Sequence, residues 1–172
     1  SKGLIPTTEP FTGLGFTQIG GGGETVDPTI FNTTGNNAIV DWIWLELRAA
    51  NDNQELINAR SALVQRDGDV VDFDGTSSVI MQATPKNYFV VVKHRNHLGA
   101  MSAASINLSD NSSTTVDFTD NSFSTFGSNA LVILNSGNTA LWAGDANADD
   151  SITFSGSNND VNAIKDYILA DP

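Results

Sequence analysis

Residues 38 to 48, Ala38-Ile39-Val40-Asp41-Trp42-Ile43-Trp44-Leu45-Glu46-Leu47-Arg48, fix one element before any other. Side chains of a strand alternate between its two faces. Val40, Trp42, Trp44 and Glu46 therefore share one face, and Ile39, Asp41, Ile43, Leu45 and Leu47 share the other. Apart from Asp41 the second row is aliphatic and is expected to face the core. The two tryptophans then stand on the opposite face. Either a terminal segment covers them, which is the plainer reading, or they form an exposed aromatic platform that stacks on sugars or a partner.

The chain continues as short strand-like runs separated by turns rich in Asn, Asp, Gly and Ser. Asn51-Asp52-Asn53 is a turn, and residues 55 to 66 return as a second strand with Leu56, Ala59, Ala62 and Val64 as apolar positions. Arg66-Asp67-Gly68-Asp69 turns again before a short strand at Val70 to Gly75, followed by Ser78 to Met81 and a break at Thr84-Pro85-Lys86-Asn87. Tyr88 to Arg95 is rich in aromatic and β-branched residues, and Leu98 to Met101 leads into Ala104 to Leu108. Further strands are predicted at Thr114 to Phe118 and Ala130 to Leu134. Strands about ten residues apart with such turns predict an antiparallel β-sandwich. A parallel sheet would need interleaved helices, and none reads from the sequence. The one helix expected is C-terminal, capped by Asn159 or Asp160, with Val161, Ile164, Tyr167 and Ile168 at helical spacing.

The N-terminal part is less regular. Leu14, Phe16 and Ile19 alternate as in a strand and run into Gly20-Gly21-Gly22-Gly23. Four glycines make either a linker or a loop whose backbone passes close to something else, and the strand-like stretch before them favours the loop. Were they a linker, the N-terminal segment would be an arm free to pair with another subunit. The expected organisation is one all-β domain over residues 1–172, with 1–23 as its N-terminal strand or arm and 141–172 as a loop-plus-helix unit.

Composition removes several chemistries. The chain of 172 residues has no cysteine, which excludes thiol catalysis, zinc–thiolate sites and iron–sulfur clusters. Twenty acidic against eight basic residues give a formal net charge of −12. Such a surface repels nucleic acid and anionic membranes and concentrates divalent cations. No stretch approaches the ~20 apolar residues of a membrane span, so no membrane insertion is expected. No G-x-S-x-G, H-E-x-x-H, Walker or G-x-G-x-x-G motif is present, and the acidic residues fall mostly in turns, so the expectation is a protein without catalytic activity.

The densest constellation of oxygen ligands lies in Gly144-Asp145-Ala146-Asn147-Ala148-Asp149-Asp150-Ser151-Ile152-Thr153. Calcium takes six to eight oxygens, and a D-x-N-x-D run presents alternate side chains inside one tight curl of backbone. Asp145, Asn147 and Asp149 take positions one, three and five, Ser151 offers its carbonyl at seven, and Ile152 is the apolar residue at eight. Where such loops carry glycine at six and an acid at twelve, this chain has Asp150 and Gly156. Asp160, at the start of the predicted helix and four residues late, is the candidate for the closing ligand. The metal set is thus Asp145, Asn147, Asp149, Ser151 and Asp160, and the cofactor Ca2+.

The run from Leu141 to Asp149, with Gly156-Ser157-Asn158-Asn159-Asp160 after it, resembles the dockerin-like, EF-hand-like calcium tails of large secreted bacterial surface proteins. Phe11-Thr12-Gly13-Leu14-Gly15-Phe16, Ile39-Val40-Asp41-Trp42, Leu63 to Asp69 and Lys93-His94-Arg95-Asn96-His97-Leu98-Gly99 are similar to a C-terminal module of those same proteins. Residues 38–108 also resemble the prealbumin-type sandwiches of bacterial adhesins. No lysine lies between Ala38 and Leu47, so the Lys–Asn cross-link of such domains is not expected. The resemblance implies a secreted, cell-surface, calcium-binding module with a structural or adhesive role. Its partners would be other copies of itself, as in a filament joined by strand addition, or other surface proteins. The alternative is a carbohydrate-binding module that holds glycans on Trp42, Trp44 or Trp142.

Two smaller clusters complete the inventory. His94-Arg95-Asn96-His97 holds both histidines of the chain. With no acidic or cysteine neighbour in sequence, it reads as a polar turn that hydrogen-bonds adjacent loops rather than as a metal site. Asp67, Asp69, Asp72 and Asp74 alternate around a turn and the outer face of a strand, which needs no cation to explain it.

Overall fold

The computed structural model of the chain describes residues 5–170. The first four residues of the predicted N-terminal arm, and the closing Asp171-Pro172, lie outside the described residues. The fold is mostly antiparallel β with one short C-terminal helix. Its frame is one sheet of six strands: β1 (Ile39–Ala49), β2 (Asp52–Gln65), β3 (Val70–Val71), β4 (Lys86–His94), β5 (His97–Met101) and β6 (Ile106–Leu108). The order is β3-β2-β1-β4-β5, and β6 joins β4 on the edge that β5 leaves. A second sheet of two strands pairs β7 (Val132–Ile133) with β8 (Thr139–Ala140).

The alternating run forms the central strand, and both of its faces are covered. Ile43 packs with Ala62, Val92 and Ala100, beneath Phe118, Leu131 and Leu141 from the C-terminal half. Trp42 and Trp44 are 0% and 1% exposed, beneath Phe11, Phe16, Val26 and Phe31 from the N-terminal segment. The exposed platform is thereby overturned for these two tryptophans. The expected aliphatic row is also broken at one end. Ile39 pairs with Gln65 but Asp41 with Val64, so one extra residue bulges out and Ile39 joins the tryptophan side.

The N-terminal segment turns where a strand was expected: Phe11 accepts from the backbone N–H groups of Leu14 and Phe16 at 3.1 and 3.0 Å. Ile19 meets the edge of β2 through an isolated bridge to Ala59 and through its carbonyl, which accepts from Asn58 Nδ2 at 2.6 Å. Glu9 fastens this cover, accepting from the N–H groups of Phe11, Thr12 and Gly23 at 2.7, 3.0 and 3.2 Å. The glycine run is a close-approach loop, since a Cβ on Gly20, whose φ is +83°, would collide with the Asn58 amide. Residues 5–23 are therefore seated on their own sheet, and no free arm exists among them for strand addition.

Elsewhere the turns won over two predicted strands. Residues 78–81 contribute one bridge, Val71 to Ser78, and Arg60 takes the Ile80 carbonyl at 2.6 Å. Residues 114–118 form no strand, because Asp117 caps a turn through the Thr119 N–H at 2.8 Å. A 3-10 helix at Pro28–Asn32, capped by Asp27, delivers Phe31 to the tryptophan face.

The helix α1 (Asp160–Ala170) begins where expected, with Asn159 Oδ1 accepting from the Asn162 N–H at 2.9 Å. Its apolar row is not packed: Val161, Ile164, Tyr167, Ile168 and Leu169 are 46–79% exposed. Among the described residues no helix is long and apolar enough to cross a membrane.

Candidate metal centre

The loop ahead of α1 is built by carboxylates that accept its own backbone. Asp145, 1% exposed, accepts from the N–H of Asp149 on Oδ1 at 3.0 Å and of Asp150 on Oδ2 at 3.1 Å. Asn147 Oδ1 accepts from the Asp149 N–H at 3.2 Å, and Asp149 Oδ1 accepts from the Ser151 N–H at 3.0 Å. Asn147 Nδ2 donates to Asp149 Oδ2 at 3.0 Å and to the Asn158 carbonyl at 2.7 Å. These bonds curl residues 145–151 into one turn with side-chain oxygens on its inner side.

The two positions that departed from the expected pattern find structural answers. Asp150 stands where glycine was expected, and its φ of +62° is the left-handed conformation which that position requires. Asp is among the residues that tolerate it best. Asp160 returns to the loop, with Oδ1 accepting from the Ala146 N–H at 2.7 Å and Oδ2 from the Thr153 N–H at 2.6 Å. It ties the loop entry to the loop exit. Gly144, at φ +128°, lies under Ile152, where a Cβ would press on the isoleucine methyl at 3.3 Å.

Charge in this loop is weakly compensated. Burial pushes the Asp145 carboxyl above its ordinary value against the two amide bonds, and the Asp149 and Asp150 charges push it further. Asp160 moves the other way, held down chiefly by the Thr153 N–H. Among the described residues one base reaches the loop, Lys93, whose Nζ lies 2.9 Å from Asp150 Oδ2.

The donor set fits a hard cation. Every side-chain ligand is an oxygen, and a carboxylate oxygen that accepts one N–H keeps a second lone pair for an ion. As the loop stands, no group of three or more His, Cys, Asp or Glu among the described residues is drawn together as a metal site. Its carboxylates are spaced by the backbone amides they bind.

The loop is joined to the sheet through the β4–β5 turn. Leu98 N–H donates to the Trp142 carbonyl at 2.8 Å and Gly144 N–H to the Asn96 carbonyl at 3.1 Å. Trp142 is 40% exposed, with its indole N–H donating to the Asn129 carbonyl at 2.8 Å. It shares no surface platform with Trp42 and Trp44, which are closed off. Sequence reasoning missed the bond from β1 to this turn, where Asp41 Oδ2 lies 3.2 Å from His94 Nε2 and 2.9 Å from Arg95 Nη2. Nothing in the local sequence could have paired residues on strands so far apart in the chain.

No protein family, curated protein or solved structure matches the chain.

Proposed function

We propose that the chain is a secreted β-module whose C-terminal loop takes Ca2+ and which serves as a structural or adhesive part of a bacterial cell-surface assembly. The observation that carries the calcium reading is the return of Asp160 to the loop opened by Asp145. That return ties Ala146 at the loop entry to Thr153 at its exit. Asp145, Asn147, Asp149 and Asp160 would hold the ion through side-chain oxygens and Ser151 through its carbonyl. Calcium supplies charge neutralisation and a cross-link, tying α1 to the sheet through the Trp142–Gly144 segment. An ion that binds folded chain and not unfolded chain stabilises the fold by mass action, by about 3 kcal/mol at a hundredfold excess over its dissociation constant.

The sandwich belongs to the same reading. Its second layer would be the C-terminal half, whose Phe118, Leu131 and Leu141 pack on the cluster of Ile43, Ala62, Val92 and Ala100. The surface role rests on the resemblance and on the acidic charge balance. Its partners would be other surface proteins or further copies of the module. Calorimetric titration of the chelator-treated chain with calcium tests the loop. A saturable 1:1 isotherm with a rise in melting temperature is the expected result, and no heat together with an unchanged melting temperature overturns it.

A further inference from the structure

Two opposed residues of an antiparallel hairpin put their side chains on one face of the sheet. His94 and His97 are such a pair, joined by the two-residue turn Arg95-Asn96. Their rings stand 4.8 Å apart at 80°, with the two Nδ1 atoms separated by 3.0 Å. Asn96 Oδ1 lies 2.6 Å from each of those nitrogens. Three donor atoms from four consecutive residues thus meet at one point, beside an exposed asparagine that leaves a path to solvent.

With both rings neutral, the protons available do not satisfy these three atoms. His94 Nε2 faces Asp41 Oδ2 at 3.2 Å, so a neutral His94 carries its hydrogen there and turns a bare lone pair inward from Nδ1. Asn96 Oδ1 has no hydrogen. A neutral His97 brings at most one, to be shared between two acceptors.

We propose that the β4–β5 turn binds a borderline transition-metal dication, Zn2+, Cu2+ or Ni2+, through Nδ1 of His94, Nδ1 of His97 and Oδ1 of Asn96. Imidazole nitrogen suits these ions, whereas Ca2+ and Mg2+ prefer oxygen throughout. With metal–nitrogen bonds of roughly 2.0–2.1 Å, neighbouring donors on one ion sit about 2.9–3.4 Å apart, so Asn96 Oδ1, now 2.6 Å from each Nδ1, has to move out by about 0.3–0.8 Å. A neutral ring that binds through Nδ1 keeps its hydrogen on Nε2. Water completes the coordination on the exposed side.

The surroundings are those of a supported ligand. A histidine that binds metal through one nitrogen commonly donates from the other to a carboxylate, which fixes its tautomer and raises its basicity. Asp41 stands in that place for His94. It is itself held by Arg95 Nη2 at 2.9 Å and by the Trp42 N–H at 2.8 Å. The turn backbone is clamped by the Asn96 carbonyl bond to Gly144 and the Leu98 bond to Trp142. The sequence hid this site because the carboxylate comes from β1, and β1 lies beside β4 only in the folded sheet.

Because the chain has two histidines and both are here, the test is unusually direct. The full chain, stripped with chelator and kept in excess calcium to occupy the acidic loop, is titrated with zinc chloride, nickel chloride and copper sulfate by calorimetry. Imidazole nitrogen shifts are followed by NMR. At least one ion should give a saturable 1:1 isotherm and move the Nδ1 signals of both rings. His94→Ala and His97→Ala, checked for native circular dichroism, should each weaken it at least tenfold, and Asp41→Asn by about 10- to 100-fold. His97→Asn serves as a second variant should the alanine fail to fold. Absence of saturable binding by all three ions overturns the site, as does binding that persists in the folded histidine variants.

Discussion

The indole N–H of Trp44 donates to Glu46 Oε1 at 3.0 Å, two residues along the same strand and on the same face, with both side chains buried. The other carboxylate oxygen accepts from Arg48 Nε and Nη2 at 2.8 and 2.6 Å, and Arg48 Nη1 reaches the Asn53 carbonyl at 3.1 Å. Three successive even positions of β1 therefore form one chain of bonds, from the aromatic core out to the β1–β2 turn. Removing the middle member leaves an indole N–H unpaired in the core and Arg48 without its anion. Glu46→Ala should lower unfolding free energy by about 3–5 kcal/mol, read as a fall in the urea midpoint at constant slope. A loss below 1 kcal/mol would show that water replaces these bonds.

Phe11 is fully buried and touches both Phe16 and Trp44, with centroids 5.1 and 5.6 Å away. Phe11→Ala removes the anchor of the N-terminal cover and should cost about 3–5 kcal/mol. The released segment should also become the first site of limited proteolysis, cut within residues 5–23 while the six-stranded sheet persists. Protease resistance equal to the parent chain would contradict this role.

Glu9 gives the cover a pH dependence with a definite sign. Burial pushes its carboxyl up, but the Thr12 hydroxyl and the N–H groups of Thr12, Phe11 and Gly23 outweigh that and hold it below the ordinary glutamate value. The ionised form is thus favoured by folding. Its contribution is present above the unfolded pKa of about 4.3 and is lost as pH falls through the lower folded value. Glu9→Gln should be destabilised by about 1–3 kcal/mol at pH 7, and its melting temperature should converge on that of the parent as pH drops below about 4. A gap that stays constant down to pH 3 would rule the ionised form out as the cause.

At the acidic loop, Asp160→Ala removes a proposed ligand together with two backbone clasps, whereas Asp160→Asn keeps an acceptor oxygen and loses the charge. Both should weaken calcium at least tenfold, and the alanine variant should also melt lower in the absence of calcium. Equal affinity in both variants and the parent would take Asp160 out of the site.

Arg60 and Asp72 pair at 2.6 Å, with the guanidinium 4.3 Å above the Phe73 ring and donating to the Ile80 carbonyl. Asp72→Ala should cost about 3 kcal/mol, because the arginine stays largely buried without its anion. Thermal unfolding by calorimetry reads it, and a shift in melting temperature of less than a degree would contradict it.

Much of the sheet was legible because alternation is strong where both faces are covered. β1, β2, β4 and the capped start of α1 stand where Trp42, Ala62, Val91 and Asn159 indicated. The misses have local causes. Ile39 changes face because a bulge at the strand entrance shifts the register. Leu14 and Phe16 alternate like a strand but belong to a turn closed on the Phe11 carbonyl. Residues 78–81 and 114–118 lost their backbone to Arg60 and to an aspartate-capped turn. β8 carries only Thr139 and Ala140, too short a run to show a period. The alternating oxygen-bearing side chains of the acidic loop could be counted from the sequence. The left-handed turn at Asp150 and the two clasps from Asp160 could not, since both depend on backbone geometry.

The N-terminal cover also sets an order of events when the chain is made. It leaves the ribosome before any of the surface it covers exists. The Pro6 carbonyl waits for the Trp42 indole, 36 residues later, and Glu9 waits for the Ser61 hydroxyl, 52 residues later. The β1–β2 hairpin closes through neighbouring residues, whereas the cover must close a long loop to reach it. Synthesis therefore passes through a stage at which Trp42 and Trp44 are made but β2, which carries Ser61, is not.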